Sequence, residues 1–271
     1  MDTPPYVQVE NLVARYGERT ILNGVTLSAQ RGAITVILGS SGCGKTTLLR
    51  HIVGLLTPAS GRVLIDGRDV HRASEDEQEA ILRNVGMSFQ GGALFNSLTL
   101  AENVALPIIE HTQADPDTAR TLARMKLALV GLERAAHLLP SEISGGMKKR
   151  AAVARALALD PALLLFDELS AGLDPITARG LDELVLSLKA HFGIAIIVVT
   201  HELSSIQMIA DQAVMLHDGK VLAAGTLEEV QATNHPQIRA FFDRRPRQAV
   251  LQRGLLDTIL IEGGRYGENP A

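Results

Sequence analysis

Residues 6–38 alternate short apolar runs with turn residues. Val7-Gln8-Val9 and Val25-Thr26-Leu27 alternate in polarity, and Tyr16-Gly17 makes a turn between them. That period of two predicts antiparallel strands with one buried face. Ala33-Ile34-Thr35-Val36-Ile37-Leu38 is instead a nearly unbroken apolar run, the pattern of a parallel strand covered on both sides. Leu48, Leu49, Ile52, Val53 and Leu56 then recur at helical spacing, with Pro58 and Gly61 expected to end the helix. Val63-Leu64-Ile65 leads to an Asp66-Gly67 turn.

From about 90 to 155 the pattern is mostly helical and interrupts the strand–helix alternation, which predicts an inserted helical subdomain. Alternation resumes with the buried strand Leu163-Leu164-Leu165-Phe166, a helix over Thr177–His191 and a second buried strand over Ile194–Thr200. Val214-Met215-Leu216, Asp218-Gly219 and Val221-Leu222-Ala223 predict a hairpin. Buried strands alternating with helices imply an α/β fold with a mostly parallel sheet covered on both faces. No internal repeat or low-complexity tract interrupts it. A chain of 271 residues can bury one large core, or a core plus a subdomain.

Composition narrows the function classes. A formal net charge of −4 argues against a general nucleic-acid binder, and 3% aromatic residues without Trp leave little for base stacking. Cys43 is the single cysteine, so neither a disulfide within the chain nor a cysteine-based zinc site is available. The start Met1-Asp2-Thr3-Pro4-Pro5 has no basic, apolar leader pattern. The longest apolar runs fall far short of the roughly 20 residues that cross a bilayer.

The chemistry lies at two places. Gly39-Ser40-Ser41-Gly42-Cys43-Gly44-Lys45-Thr46 follows a buried strand and opens a helix. That context makes it a phosphate-binding loop: glycines let backbone N–H groups face phosphate oxygens, and the helix start adds partial positive charge. Lys45 is expected to reach the β- and γ-phosphates and Thr46 to ligate Mg²⁺, with Thr47 beside them. Cys43 admits two readings, a thiol activated by the helix start or a small residue that fits the loop. Asp167-Glu168 ends the Leu163–Phe166 strand; in P-loop enzymes the first acid holds the Mg²⁺ shell and the second orients or deprotonates the attacking water.

Ile143-Ser144-Gly145-Gly146-Met147 precedes an Ala-rich helix. With this segment the chain resembles the ATP-binding-cassette (ABC) family of transporter ATPases, whose pattern is L-S-G-G-Q. Ile stands for Leu and Met for Gln; the serine and both glycines are retained. The resemblance spans roughly residues 6–235. It implies a P-loop NTPase (RecA-like) core with an N-terminal antiparallel β-subdomain, the whole cassette running over 1–245. It also implies an extension, 246–271, for which contact with the neighbouring protomer and packing against its own domain both stay open. ATP and Mg²⁺ would lie between the phosphate loop of one copy and Ser144, Gly145 and Gly146 of the other. Tyr16 looks like the aromatic residue that stacks on adenine, Gln90 like the glutamine that touches Mg²⁺ and water, and His201 like the switch histidine at the γ-phosphate. Ser170-Ala171-Gly172-Leu173-Asp174 resembles the loop that meets the partner, with Leu169 where Pro is common.

Within that family, Phe89–Phe95 and Pro140–Arg150 look most like the ATPase subunits of Mla/MCE-type lipid transport systems. The Ser170–Asp174 loop departs from the Gly-Gln-Asp form of some Mla members. The resemblance implies a homodimer on integral membrane permease subunits, with an MCE-type lipid-binding subunit among the partners and no nucleic acid. It places the chain peripherally at the cytoplasmic face of the inner membrane. An importer ATPase for another small substrate, a non-transport ABC ATPase and a subunit without turnover stay open at this point.

Overall fold

The computed structural model describes residues 4–243. The extension expected at 246–271 lies outside the described residues. Two sheets organise the chain. The first is antiparallel, in the order β2-β1-β4-β5, and comprises β1 (Val7–Tyr16), β2 (Arg19–Ala29), β4 (Ser60–Ile65) and β5 (Arg68–Asp69). The second has the order β10-β9-β3-β8-β7-β6 and comprises β3 (Ile34–Leu38), β6 (Val85–Ser88), β7 (Leu163–Asp167), β8 (Ala195–Val199), β9 (Gln212–His217) and β10 (Lys220–Gly225). Its neighbours pair in parallel except β9 with the edge strand β10, which form the hairpin expected from the Asp218-Gly219 turn.

Every residue of β3, β7 and β8 is buried, which is why these strands read as continuous apolar runs. Successive side chains still point to opposite faces. Ile34, Val36, Leu38, Leu164, Phe166, Ile196 and Val198 join one core, together with the helical layer. Ile37, Leu163, Leu165, Ala195, Ile197 and Val199 join the other, together with the antiparallel sheet and the first helix. The parallel sheet is therefore sandwiched, as an α/β architecture requires. Phe166 is fully buried, and truncating it to Ala would cost about 3–5 kcal/mol.

Helix α1 (Lys45–Ile52) follows β3 directly and ends earlier than the sequence suggests. Gly54, at φ 71°, turns the chain there, and Leu55 N–H and Leu56 N–H both return to Arg50 O, so Pro58 and Gly61 are not the stop signals. Gly61 instead lies inside β4. Helix α2 (Glu75–Leu82) had no counterpart in the sequence reading. The inserted helical layer consists of α3 (Leu100–His111), α4 (Pro116–Leu129) and α5 (Gly145–Ala156). Side chains fix their starts: Thr99 and Glu102 form a capping box on α3, Asp115 caps α4 and Ser144 caps α5. The rest of the chain adds α6 (Pro175–Phe192), capped by Asp174, α7 (Leu203–Ile209), α8 (Leu227–Ala232) and α9 (Pro236–Phe242).

Candidate active site

Because β3, β8, β7 and β6 run parallel, their C-terminal ends open on one edge of the sheet in that order. The phosphate loop, His201, Asp167-Glu168 and Gln90 therefore come together, although up to 162 positions separate Gly39 from His201 in sequence. Ligands of open α/β sheets bind at this edge.

The loop after β3 needs its glycines. Gly39 has φ +152° and a Cβ there would stand 2.2 Å from Leu216 O; Gly44 has φ +106° and its Cβ would meet Leu22 Cδ2 at 2.6 Å. Ser41 and Gly42 form the exposed tip, while Lys45 is buried. Lys45 Nζ folds back along the loop and donates to Gly39 O at 2.9 Å and Ser40 O at 3.1 Å. Thr46 Oγ1 donates to Asp167 Oδ1 at 3.3 Å, linking loop to acidic strand end. Thr47 O accepts from His51 Nδ1 at 2.8 Å and so steadies the first turn of α1.

Burial pushes the Asp167 carboxyl above its usual range; the neighbouring Glu168 adds to the rise, while the Thr46 hydrogen bond and the charges of Lys45 and Arg50 oppose it. Glu168 adopts φ 51°, a left-handed conformation that a side-chain-bearing residue takes only under constraint. The constraint is visible: its N–H donates to Val199 O at 2.9 Å. Its Oε1 lies 2.8 Å from His201 Nδ1, and its Oε2 accepts from Gln90 Nε2 at 3.4 Å. The carboxylate is thus aimed by one imidazole and one amide.

Cys43 is buried, and burial pushes its thiol up from the ordinary value despite the nearby Lys45 charge. This environment favours the reading of a small residue that fits the loop over that of an activated thiol; its sulfur would lie only 2.8 Å from a Cβ on Gly39.

Five sequence-predicted residues, Tyr16, Ser144, Gly145, Gly146 and Asp174, stand elsewhere in the chain. Tyr16 is 50% exposed at the tip of the β1–β2 hairpin; its sheet reaches the phosphate loop through Ile21 and Leu22 of β2. Ser144 and Gly145 are exposed at the start of α5, where Ser144 Oγ accepts from Met147 N–H at 3.3 Å. Asp174 is exposed too; its carboxyl accepts from Ile176 N–H at 3.1 Å and Thr177 N–H at 3.0 Å. The hydrogen bonds of Thr177 hold that carboxyl below the usual range. These two loops are neighbours: a Cβ on Gly145 would touch Leu173 Cδ2 at 3.7 Å, and one on Gly146 would stand 2.5 Å from Thr177 Cγ2. The chain therefore carries two clusters, one around Lys45 and Glu168 and one around Ser144 and Asp174.

One residue at the first cluster was not singled out from sequence. Lys149, on α5, is buried and donates to the backbone carbonyls of Gln90 and, at 3.2 Å, of Glu168. Burial pulls its ammonium below the usual lysine range, opposed by the charges of Glu168 and Asp167. A signal did exist: Lys149 shares the buried face of α5 with Gly146, Val153 and Ala156, three, four and seven residues away, a charged residue on an otherwise apolar stripe.

Among the described residues, no helix is long and apolar enough to cross a membrane, and no cluster of three His, Cys, Asp or Glu could hold a metal ion.

Comparison with known proteins agrees with this geometry. The profile of a family described as ABC transporter matches residues 22–171. The chain is 45% identical over 224 residues to the intermembrane phospholipid transport system ATP-binding protein MlaF of Haemophilus influenzae, covering 83% of this chain and 85% of that protein. It is 38% identical over 239 residues to the probable ribonucleotide transport ATP-binding protein mkl of Mycobacterium tuberculosis, covering 88% of this chain and 67% of that one. Among solved structures, it superposes with a TM-score of 0.75 and 33% identity on the dimeric, post-hydrolysis state of the ATP-binding cassette MJ0796 bound to ADP and Pi, covering 82% of this chain and 98% of that chain. Phosphate loop, acidic strand end and relatives all point the same way: the chain belongs to the ABC transporter family, among its ATP-hydrolysing cassettes.

Proposed function

We propose that two copies of the chain, arranged head to tail, hydrolyse ATP and drive phospholipid movement through separate permease subunits of an Mla/MCE-type system. The observation that carries this reading is the division of the chemistry. Glu168, His201 and Gln90 converge beside Thr46 and Asp167, whereas Ser144 and Gly145 stand exposed at the head of α5. Each copy would lend its Ser144 hydroxyl and the N–H groups of α5 to the γ-phosphate held by the other. The dimeric state of MJ0796 supports the pairing, and the name of the Haemophilus relative supports the lipid cargo.

In this mechanism Lys45 moves from the Gly39 and Ser40 carbonyls to the β- and γ-phosphates. Tyr16 stacks on the adenine. Glu168, aimed by His201 and Gln90, orients the attacking water and takes its proton. Asp174 orders the loop that meets the opposing copy. The rate gain is positioning and charge stabilisation rather than covalent chemistry. Thr46 Oγ1 and Asp167 Oδ1, hard oxygens 3.3 Å apart with Gln90 nearby, fit a Mg²⁺ ion that keeps most of its shell as water and phosphate oxygen. Bound there, Mg²⁺ would neutralise charge on the phosphate oxygens.

The permease would dock on the helical side. A groove of about 470 Å³ between α2, β6 and α3 is lined by Gln78, Glu79, Arg83, Met87, Pro107 and His111. It begins at the strand that delivers Gln90, so a helix seated there could sense the nucleotide site. The cassette would then work peripherally on the cytoplasmic face of the inner membrane, with an MCE-type lipid-binding subunit completing the system. The ribonucleotide name of the mycobacterial relative marks the competing cargo.

The test is Glu168→Gln in the full chain. ATP should trap it as a stable pair on size exclusion with turnover reduced by roughly 10²–10⁴-fold. Near-normal turnover, or an ATP-loaded chain that stays single with its membrane partners present, would remove the proposal. Stimulation of the wild-type complex by phospholipid vesicles rather than by ribonucleotides separates the two cargoes.

A further inference from the structure

Lys149 crosses from α5 to two loops that leave different strands. It meets Gln90 O after β6 and Glu168 O after β7. Both contacts are to backbone, on residues whose side chains meet each other at 3.4 Å. The two carbonyls share one ammonium, so their peptide planes cannot rotate independently. For Glu168 the consequence is direct. Its N–H is already fixed on Val199 O at 2.9 Å and its φ is 51°. Holding the carbonyl as well leaves the residue one backbone conformation, the one that points Oε1 at His201.

Helix α5 also opens with Ser144, five positions before Lys149. The same rigid helix therefore carries the exposed Ser144 turn at its head and the grip on Gln90 and Glu168 one and a half turns later. A charge-assisted bond to a carbonyl is stronger than a neutral one, and removing the donor leaves two acceptors without it.

We propose that Lys149 is a positioning residue for hydrolysis, holding the Gln90 and Glu168 backbones in register from the helix whose first turn serves the opposing nucleotide. The inference rests on the assignment of Glu168 and Gln90 in the proposed function. Lys149 acts through the Gln90 and Glu168 backbones, so its loss should affect the chemical step rather than binding.

The experiment compares Lys149→Met and Lys149→Arg in the full chain, with Glu168→Gln assayed beside them. Lys149→Met should lower kcat at least tenfold while the KM for ATP stays within threefold. Lys149→Arg, which keeps a charged donor able to span two carbonyls, should return kcat to within threefold of wild type. In the Glu168→Gln background, Lys149→Met should still form the ATP-trapped pair, a readout that a collapsed α5 would lose. Wild-type kcat in Lys149→Met beside an inactive Glu168→Gln overturns the Lys149 inference alone. So does a Lys149→Arg chain as slow as the Met variant, or loss of the trapped pair. An active Glu168→Gln overturns both it and the catalytic assignment beneath it.

Discussion

His201 Nδ1 lies 2.8 Å from Glu168 Oε1, across the parallel seam between β8 and β7. His201 is exposed and follows β8 by two residues, while Glu168 is half-buried and follows β7 immediately. The bond therefore joins the outer rim of the site to its floor. Removing the imidazole leaves the carboxylate steered only by the longer Gln90 contact of 3.4 Å. His201→Ala should lower the kcat for ATP hydrolysis by roughly 10²-fold, the low end of what a positioned acid–base partner supplies. KM should change little, because phosphate binding rests on the loop after β3. Steady-state ATPase measurements decide this; an unchanged kcat would show that the pair has no part in turnover.

The Thr46–Asp167 contact carries a separate expectation. Thr46→Val keeps the shape of the side chain and removes only the hydroxyl that reaches Asp167. Half-maximal activity should then need about tenfold more Mg²⁺, on the order of 1.4 kcal/mol for one lost oxygen ligand. Chelation of divalent cations should abolish turnover in the wild type. Titrating Mg²⁺ against ATPase rate checks both, and full activity in excess chelator would contradict the assignment of Thr46 and Asp167 as ion ligands.

What could be read from sequence depended on how local the determining physics is. β3, β7 and β8 were legible because a strand covered on both faces has no solvent-facing positions, so its run is apolar but for Thr35 in β3 and the terminal Asp167 of β7. The phosphate loop was legible because its glycine spacing is forced by backbone geometry, down to the 2.2 Å clash that a Cβ at Gly39 would make. Helix α2 was not: of its side chains only Ile81 is buried, so it has no apolar stripe, and only the Ser74–Glu77 capping box marks it. β6 is a four-residue strand whose Gly86 looks like a breaker. That glycine is required because a Cβ would stand 2.0 Å from Ala156 O of the crossing helix α5. The grip of Lys149 escaped for another reason. Its partners lie 59 and 19 positions away, and no short pattern encodes a contact between a helix and two strand ends.

A buried acid away from the nucleotide site gives a prediction about stability. Asp182 on α6 is 7% exposed, and its Oδ2 accepts from Ser205 Oγ of α7 at 2.8 Å; Ser205 Oγ lies 3.4 Å from Ser170 Oγ. Burial raises the Asp182 carboxyl above 3.8; the Ser205 bond pulls the other way and the charge of Glu183 adds to the rise. An acid whose folded pKa is raised binds its proton more tightly in the native state than in the unfolded one. Stability then falls as pH climbs from about 3.8 through the raised folded value, and the cost stays constant above it. Asp182→Asn keeps an acceptor for Ser205 and carries no charge. At pH 7.5 it should melt higher by roughly 2–4 °C, the shift that about 1 kcal/mol makes in a large domain. As pH falls through the folded pKa of Asp182 toward about 4, the wild type takes up its proton and the advantage should shrink to nothing. Ser205→Ala should do the opposite at neutral pH, because it strips the charged carboxylate of its donor and leaves the desolvation uncompensated. Melting curves of the three chains between pH 7.5 and 4 decide the matter. An Asn advantage that stays constant as pH falls would mean that the buried charge is not what costs stability.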